Sequence, residues 1–414
     1  MKRLLAFVII LLAAGNCLAQ RNEILSSRIG SLKVTADDNW AGLPVTTLDG
    51  TINIDFDDLT HQYTRYTYRI EHCEADWTPS EGIFSSEYLQ GFAEGNTIGS
   101  FRMSMNTVQL YNHYHLEIPN SYCSLKMSGN YRLTVIDENN GAEPVLVACF
   151  MIVEPLMGVS LSYTTNTDLD INSRHQQVEM EVSYGPLKVI MPTDQIKTVV
   201  MQNGRWDNAR INVSPQFTMA DGLRWQHCRD FIFTAGNEYR KFEILDLSHP
   251  TMGIDHISWD GSAYHVYPFV AEPRWNYVYD EDADGAFIIR NSDNIEIETT
   301  CDYSLVHFQL KCPKYAQGEV YVNGEFTNDQ FLPQYRMEYD YARQLYEAVI
   351  PLKQGYYNYQ FLLMDASGNL LTVPCEGDYY QTQNTYQALV YYRGTGERTD
   401  RLVGYAKTLP QPSL

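Results

Sequence analysis

At 414 residues the chain has material for about three domains of roughly 100 to 200 residues each, which excludes a single small disulfide-stapled scaffold. Its 30 basic residues stand against 51 acidic ones, a formal net charge of -21. That balance argues against nucleic acid and against an anionic leaflet as partners, because both are held by clustered Lys and Arg.

The first element in chain order reads as an export signal. Lys2 and Arg3 form its charged start, Leu4 to Ala14 its apolar stretch, and Cys17-Leu18-Ala19 a small-residue cleavage site before Gln20. Residues 1–19 are expected to be removed, leaving 28 basic against 51 acidic residues and a net charge of -23. Lipidation at Cys17 is disfavoured because Asn16 is bulkier than the small residue such processing prefers. No later window approaches the ~20 apolar residues of a membrane helix, so the exported product is expected to be soluble, with no direct membrane span.

The mature chain reads as strand after strand: Thr51 to Phe56, Tyr63 to His72, Tyr111 to Ile118, Gly129 to Ile136, Val145 to Val153, Gln177 to Tyr184 and Thr198 to Gln202. Each is short, rich in β-branched or aromatic residues and bounded by Gly, Pro, Asn or Asp. No window of a dozen residues sustains helical periodicity. The expected class is all-β, as three tandem β-sandwiches. Val153-Glu154-Pro155 ends a first, immunoglobulin-like block at 20–155, since proline cannot donate to a ladder. A middle β block spans 156–290 and contains Asn203-Gly204, a hairpin signal. Ser304 to Leu310, Glu319 to Val322 and Tyr356 to Leu363 belong to a third sandwich at 291–393, followed by a tail at 394–414. Tyr, at 31, outnumbers Phe and Trp (16 and 6), an excess that favours half-exposed strands and contact surfaces.

Sites of chemistry are few. Asp280-Glu281-Asp282-Ala283-Asp284-Gly285 spells the opening of a calcium loop, with Asp280, Asp282 and Asp284 as candidate ligands. Its twelfth position is Asn291, where an EF-hand needs a bidentate Glu, so an acidic turn closed by Asp-Gly is the competing reading. His113 and His115 alternate along one strand and share a face, but no third ligand stands near them in sequence. Seven cysteines remain after cleavage: Cys73, Cys123, Cys149, Cys228, Cys301, Cys312 and Cys375. No C-x-x-C occurs, and Cys301 with Cys312 is the one pair whose bridging merits a test. G-x-S-x-G, S-x-x-K and H-E-x-x-H are all missing. No cofactor and no catalytic residue is expected, although a dispersed carboxylate pair of the glycosidase kind has no sequence signature by which to exclude it. Trp206, Tyr88 and Trp275 are candidate partner anchors, beside polar turn text.

Particular strings carry a resemblance. His72-Cys73-Glu74-Ala75-Asp76-Trp77-Thr78-Pro79-Ser80, Ser86-Glu87-Tyr88, Gly91-Phe92, Asn112-His113-Tyr114, Ser128-Gly129-Asn130-Tyr131-Arg132-Leu133 and Val153-Glu154-Pro155 resemble, in order, the first domain of the plug protein family of the Bacteroidota type IX secretion system. Gln202 to Asn208, Ala271-Glu272-Pro273 and Lys353 to Tyr359 resemble the rest of that family. The resemblance implies a non-enzymatic periplasmic protein, peripheral at the inner face of the outer membrane, whose partner is the translocon β-barrel. The third block also resembles an early-set sandwich of the glycogen-binding type, through Val320 to Asn328 and Gly355 to Phe361. That likeness supplies the alternative of a periplasmic or surface glycan-binding protein. Asp329 stands where that pattern has Trp and Gln360 where it has Lys, which argues against sugar.

Overall fold

The computed structural model describes residues 22–408, so the export signal expected at 1–19 lies outside the described residues, as do the last six residues of the expected tail. Regular structure is almost entirely strand, in seven sheets. The first sandwich sets a six-stranded sheet, whose central members are Glu143–Ile152, Gly129–Asp137 and Tyr66–Cys73, against a four-stranded sheet of Ile29–Ala36, Ile52–Asp58, Asn112–Ile118 and Ser100–Met103. Strand alternation turns Ile52, Ile54 and Phe56 into the core and sends Asp55 and Asp57 to the opposite face. Inside, Phe56 stacks on Tyr114 with ring centroids 5.3 Å apart, and Tyr66 meets Tyr114 edge-on at 4.9 Å. Each fully buried ring of this kind contributes about 2–3 kcal/mol through removal of apolar area from water.

The second sandwich is discontinuous. One sheet is built on Gly158–Thr164, His175–Ser183 and Gly222–Trp225. The other runs Arg210–Ile211, Ile196–Gln202, Tyr386–Tyr392 and Arg401–Lys407, so its two final strands come from the end of the chain. Val178, Met180, Trp225, Val200, Ala388, Val390 and Val403 share one core. Between these halves lies the third sandwich. It joins Arg240–Ile244, Gly355–Asp365, Phe287–Ile289 and Gly318–Asn323 on one side to Ile254–Trp259, Tyr264–Pro268, Tyr303–Leu310 and Leu345–Lys353 on the other.

Two expected boundaries are corrected by this arrangement. Residues 240–290 belong with the third sandwich, not the middle one, since Phe242, Ile244, Ile254, Val266 and Phe287 lie in the third core. Arg401–Lys407 is a paired strand, not tail, and Tyr386–Tyr392 belongs to the second sandwich. Tyr386–Tyr392 finds its partner about 190 residues upstream, and a pairing that distant leaves no mark on local sequence pattern. The two connections between second and third sandwiches are bonded to each other: Tyr379 N–H donates to Gly236 C=O at 2.8 Å, and Asn384 Nδ2 donates to Ala235 C=O at 2.8 Å. Glu376 in the returning connection takes Arg240 Nη2 at 2.9 Å and also pairs with Arg274. The third sandwich is an insertion on a stapled two-strand neck.

First and second sandwiches share a fourth core. Cys73, Trp77, Cys149, Met151 and Val153 from the first pack against Val199, Met201, Trp206, Leu389, Tyr391 and Leu402 from the second. Strands such as Glu143–Ile152 are therefore covered on both faces, which explains the unbroken apolar run Val145 to Val153.

Candidate functional site

The outward-facing Asp55 and Asp57 meet His113 and His115 on the neighbouring strand, in register: Asp57 pairs with His113 and Asp55 with His115. His113 Nδ1 lies 2.8 Å from Asp57 Oδ1, and His115 Nδ1 lies 2.8 Å from Asp55 Oδ1. The third sandwich closes over this face. Lys353 Nζ sits 2.7 Å from Asp57 Oδ2, the two side chains only 2% and 1% exposed, and Tyr303 Oη donates to the same oxygen at 2.7 Å. Tyr111 lays its ring 4.0 Å from Lys353 Nζ and donates its hydroxyl to Cys301 C=O at 2.7 Å. Asp302 accepts the backbone N–H groups of Val108 and Gln109, and Lys33 pairs with Glu325.

Electrostatics follow from that closure. Burial opposes charge on His113, but hydrogen bonds to Asp55 and Asp57 outweigh it and push the imidazole up to about 9. Burial alone would raise Asp55, yet His113 and His115 hold it down at about 2. Asp57 is likewise depressed despite burial, chiefly by Lys353. At neutral pH Asp55, Asp57 and His113 are thus ionised together, and both histidines hydrogen-bond to carboxylates. Sequence reading found the two histidines but missed Asp55, Asp57 and Lys353. The signal was present, because Asp-x-Asp in one strand and His-x-His in the next are matched alternations, but pairing the two strands requires the fold.

A second junction joins first and second sandwiches. Trp77 and Trp206 meet edge-to-face at 5.7 Å, and Tyr391 Oη donates to Asn130 Oδ1 at 2.9 Å. Asp400 gathers Lys197 Nζ at 2.8 Å, Arg393 Nε at 2.9 Å and the Ala75 N–H at 3.0 Å. Trp206 is only 8% exposed here, and Tyr88 is equally buried, its hydroxyl donating to Ile70 C=O at 3.2 Å. Both are corrected as free partner anchors: each ring is spent on the protein's own packing. Trp275, 73% exposed beside exposed Val278 and Tyr279, keeps its surface free among the described residues.

The acidic loop lies where all three sandwiches meet, and its carboxylates diverge. Asp280 pairs with Lys241 at 2.6 Å, Asp282 accepts the N–H groups of Tyr239 and Asp284, and Asp284 takes the Thr385 hydroxyl at 2.6 Å. No group of three metal-capable side chains forms among the described residues. Asp284 and Gly285 adopt φ of 53° and 92°, the left-handed pair of an Asp-Gly turn. Burial, reinforced by Asp284, raises Asp282 to about 8, and burial also raises Asp284.

The glycan alternative can be followed to its face. Gln360 Nε2 donates to Tyr239 Oη and to Asn323 Oδ1, both at 2.9 Å, and Asn323 Nδ2 donates to Asp329 Oδ1 at 2.9 Å. The face carrying Asn323 and Asp329 is roofed by Gly204 and Arg205 of the second sandwich over a cavity of about 90 Å³. Ligand sites span roughly 300–1,000 Å³. Phe331 packs edge-on against Tyr321 at 5.6 Å, and Tyr335 is buried, so neither offers a ring for stacking a sugar.

All seven cysteines are buried, and none forms a disulfide among the described residues. Cys301 and Cys312 flank Tyr303–Leu310, whose eight residues at ~3.3 Å each hold them some 25 Å apart, far beyond the ~7 Å limit for a bridge. That pairing is corrected; Cys312 lies beside Cys375, which together with burial raises its thiol.

Comparison with known proteins decides the family. Residues 29–154, the first sandwich, match the family model described as type 9 secretion system plug protein 1st domain. A solved structure of a hypothetical protein from Parabacteroides merdae ATCC 43184 is 38% identical, covering 94% of this chain and 98% of that one with a TM-score of 0.90. This chain belongs to the type 9 secretion system plug protein family. The full three-sandwich architecture therefore recurs in a solved relative. A biofilm-associated protein BSP domain, at 8% identity and a TM-score of 0.15, carries no weight, and no curated protein matches the chain.

Proposed function

We propose that this plug-family chain is a non-enzymatic periplasmic subunit that closes the periplasmic opening of the outer-membrane translocon barrel by protein-protein contact. The observation that carries the reading is the welding of three sandwiches into one body, beneath a first sandwich that matches the family. A barrel of many strands leaves an aqueous lumen, and a stopper for it must not yield between its own domains. The buried Lys353–Asp57 pair, the Trp77–Trp206 core and the Glu376 neck supply that resistance at every junction.

The contact surface in this reading lies on the family-matched sandwich. Its small two-stranded sheet, Leu89–Gly91 with Cys123–Leu125, is flanked by Phe84, Phe92 and Tyr122, which are 75%, 70% and 52% exposed. Aromatic side chains presented this way are the usual anchors of an interface of about 1,600 Å² or more. Trp275 is a second anchor. The acidic body calls for a basic rim on the barrel. Purification of the translocon from cells carrying wild type or the Phe84→Ser, Phe92→Ser variant tests this: wild type is expected to co-purify and the variant to be depleted at least tenfold. Deletion of the gene is expected to admit large antibiotics across the outer membrane. Wild-type chain missing from the purified translocon in every gating state, or unchanged permeability on deletion, would overturn the proposal.

A further inference from the structure

Between the second and third sandwiches, beside the neck, lies a cleft of about 630 Å³, within the size range of ligand sites and at the kind of domain boundary where they form. Its walls carry Arg174, Arg210 and Phe233 from the second sandwich, Leu362 and Leu371 from the third, and Asp378 from the returning connection. Among the described residues Arg210 and Arg132 are sheltered guanidiniums with no carboxylate partner, and Arg132 is spent on Trp77 C=O at 2.8 Å. Arg28, Arg205, Arg240 and Arg274 each hold a carboxylate. Arg210 forms no ion pair among the described residues. It lies over the Phe233 ring, 4.9 Å from the centroid, and donates only from Nη2 to Ile232 C=O at 3.3 Å; its Nε is buried without an acceptor. Burial, opposed only by the more distant Asp230, correspondingly weakens its hold on charge.

The same cleft contains the complementary defect. Asp378 accepts Arg174 Nη2 at 2.7 Å through Oδ2, while its Oδ1 is buried and unbonded. A sheltered donor or acceptor left unbonded is destabilising, and a ligand that satisfies it gains accordingly. One cleft thus holds an underused cationic fork and an underused carboxylate oxygen, with Phe233, Leu362 and Leu371 as apolar lining.

We propose that this cleft binds a ligand bearing a free α-carboxylate and a nearby N–H donor, the chemistry shared by a peptide C-terminus and a free amino acid. The carboxylate seats on the Arg210 fork, a geometry suited to two parallel hydrogen bonds. The N–H donates to Asp378. This site is separate from the barrel-facing surface, and its test uses the isolated chain, so neither proposal stands or falls with the other.

Calorimetric titration of the mature chain with N-acetyl-alanyl-alanine, its C-terminal amide, free alanine and inorganic phosphate tests it. The acid peptide is expected to bind at least tenfold more tightly than the amide. Alanine binding as tightly as the peptide supports the site and makes the free amino acid its ligand; weaker alanine supports it and makes the ligand a chain end. Arg210→Ala should weaken the acid peptide at least tenfold at an unchanged melting temperature. Arg210→Lys, which keeps the charge and loses the fork, should weaken it several-fold and carries the test if the alanine variant does not fold. Equal affinity for acid and amide, binding of phosphate alone, no heat with any probe at millimolar concentration, or undiminished affinity in folded Arg210 variants overturns it.

Discussion

Replacing Asp57 by Asn keeps the side chain's shape and removes the one full countercharge of Lys353. The ammonium, 2% exposed, would retain Glu298 C=O at 3.2 Å and the Tyr111 ring at 4.0 Å. Breaking a buried pair from one side costs about 3–5 kcal/mol, and a desolvated ring face offsets about 2 of this at most. The expected loss is therefore about 3 kcal/mol. Combining Asp57→Asn with Lys353→Met removes both charges and should restore most of it, since an apolar replacement of a buried pair is often neutral. Guanidinium denaturation of the four proteins gives the coupling energy by a double-mutant cycle. Calorimetry gives the more telling result. With an unfolding entropy of about 2.1 cal/mol/K per residue, 3 kcal/mol lowers Tm by about 4 °C if some 390 residues unfold together, but by about 11 °C if a first sandwich of about 130 residues unfolds alone. A single transition lowered by the smaller amount is expected. A loss below about 1 kcal/mol, or a large shift confined to one of two transitions, would refute the welded body.

The same junction has a pH signature. His113 holds its proton more tightly folded, at about 9, than unfolded, at about 6.5, so its contribution of about 3 kcal/mol is complete below pH 6.5 and lost as pH rises through 9; denaturation midpoints at pH 6 and 9.5 should differ accordingly, and His113→Gln should flatten the difference. Gly91 has φ of 100°, and a Cβ there would stand 2.0 Å from Tyr122 C=O, so Gly91→Ala should destabilise by at least about 2 kcal/mol in chemical denaturation and disturb the Phe92 and Tyr122 surface. Trp77→Ala empties the first-second core and should cost about 3–5 kcal/mol by the same assay. Native protein at pH 8 should take up no iodoacetamide by intact mass, because burial pushes thiols such as Cys73 and Cys301 up to about 12, and all seven should label once unfolded.

The strands were legible because their pattern is local: Ile52 to Phe56 and Gly129 to Ile136 alternate or run apolar as half-covered or covered strands must. Runs without alternation, Val145 to Val153 and Thr198 to Gln202, also held information about architecture. Side chains along them turn by turns to one core and to another, so an unbroken apolar strand here marks contact between sandwiches. What stayed hidden depends on separation along the chain. Tyr386–Tyr392 reads like the last strand of whatever precedes it, and only its pairing with Ile196–Gln202 assigns it to the second sandwich. Trp206 reads as an exposed anchor because Arg205, Asp207 and Asn208 surround it in sequence, while Trp77 covers it in space. The Arg210 cleft is assembled from residues scattered between Arg174 and Asn384 and carries no motif.

The inserted topology and the roofed face of the third sandwich act together mechanically. A sandwich hung on a single connection can swivel, whereas one carried on two connections that bond to each other resists rotation about the neck. Rotation about the remaining axis is opposed where the face bearing Asn323, Asp329 and Gln360 is roofed by Gly204 and Arg205, and where Lys353 reaches into the first sandwich. An aromatic platform at position 329 would stand in that crowded junction, where a small carboxylate bonded to Asn323 fits. Asp329 and Gln360 are thus residues that this domain contact accommodates. In this chain the face that carries Asn323, Asp329 and Gln360 is a joint between sandwiches.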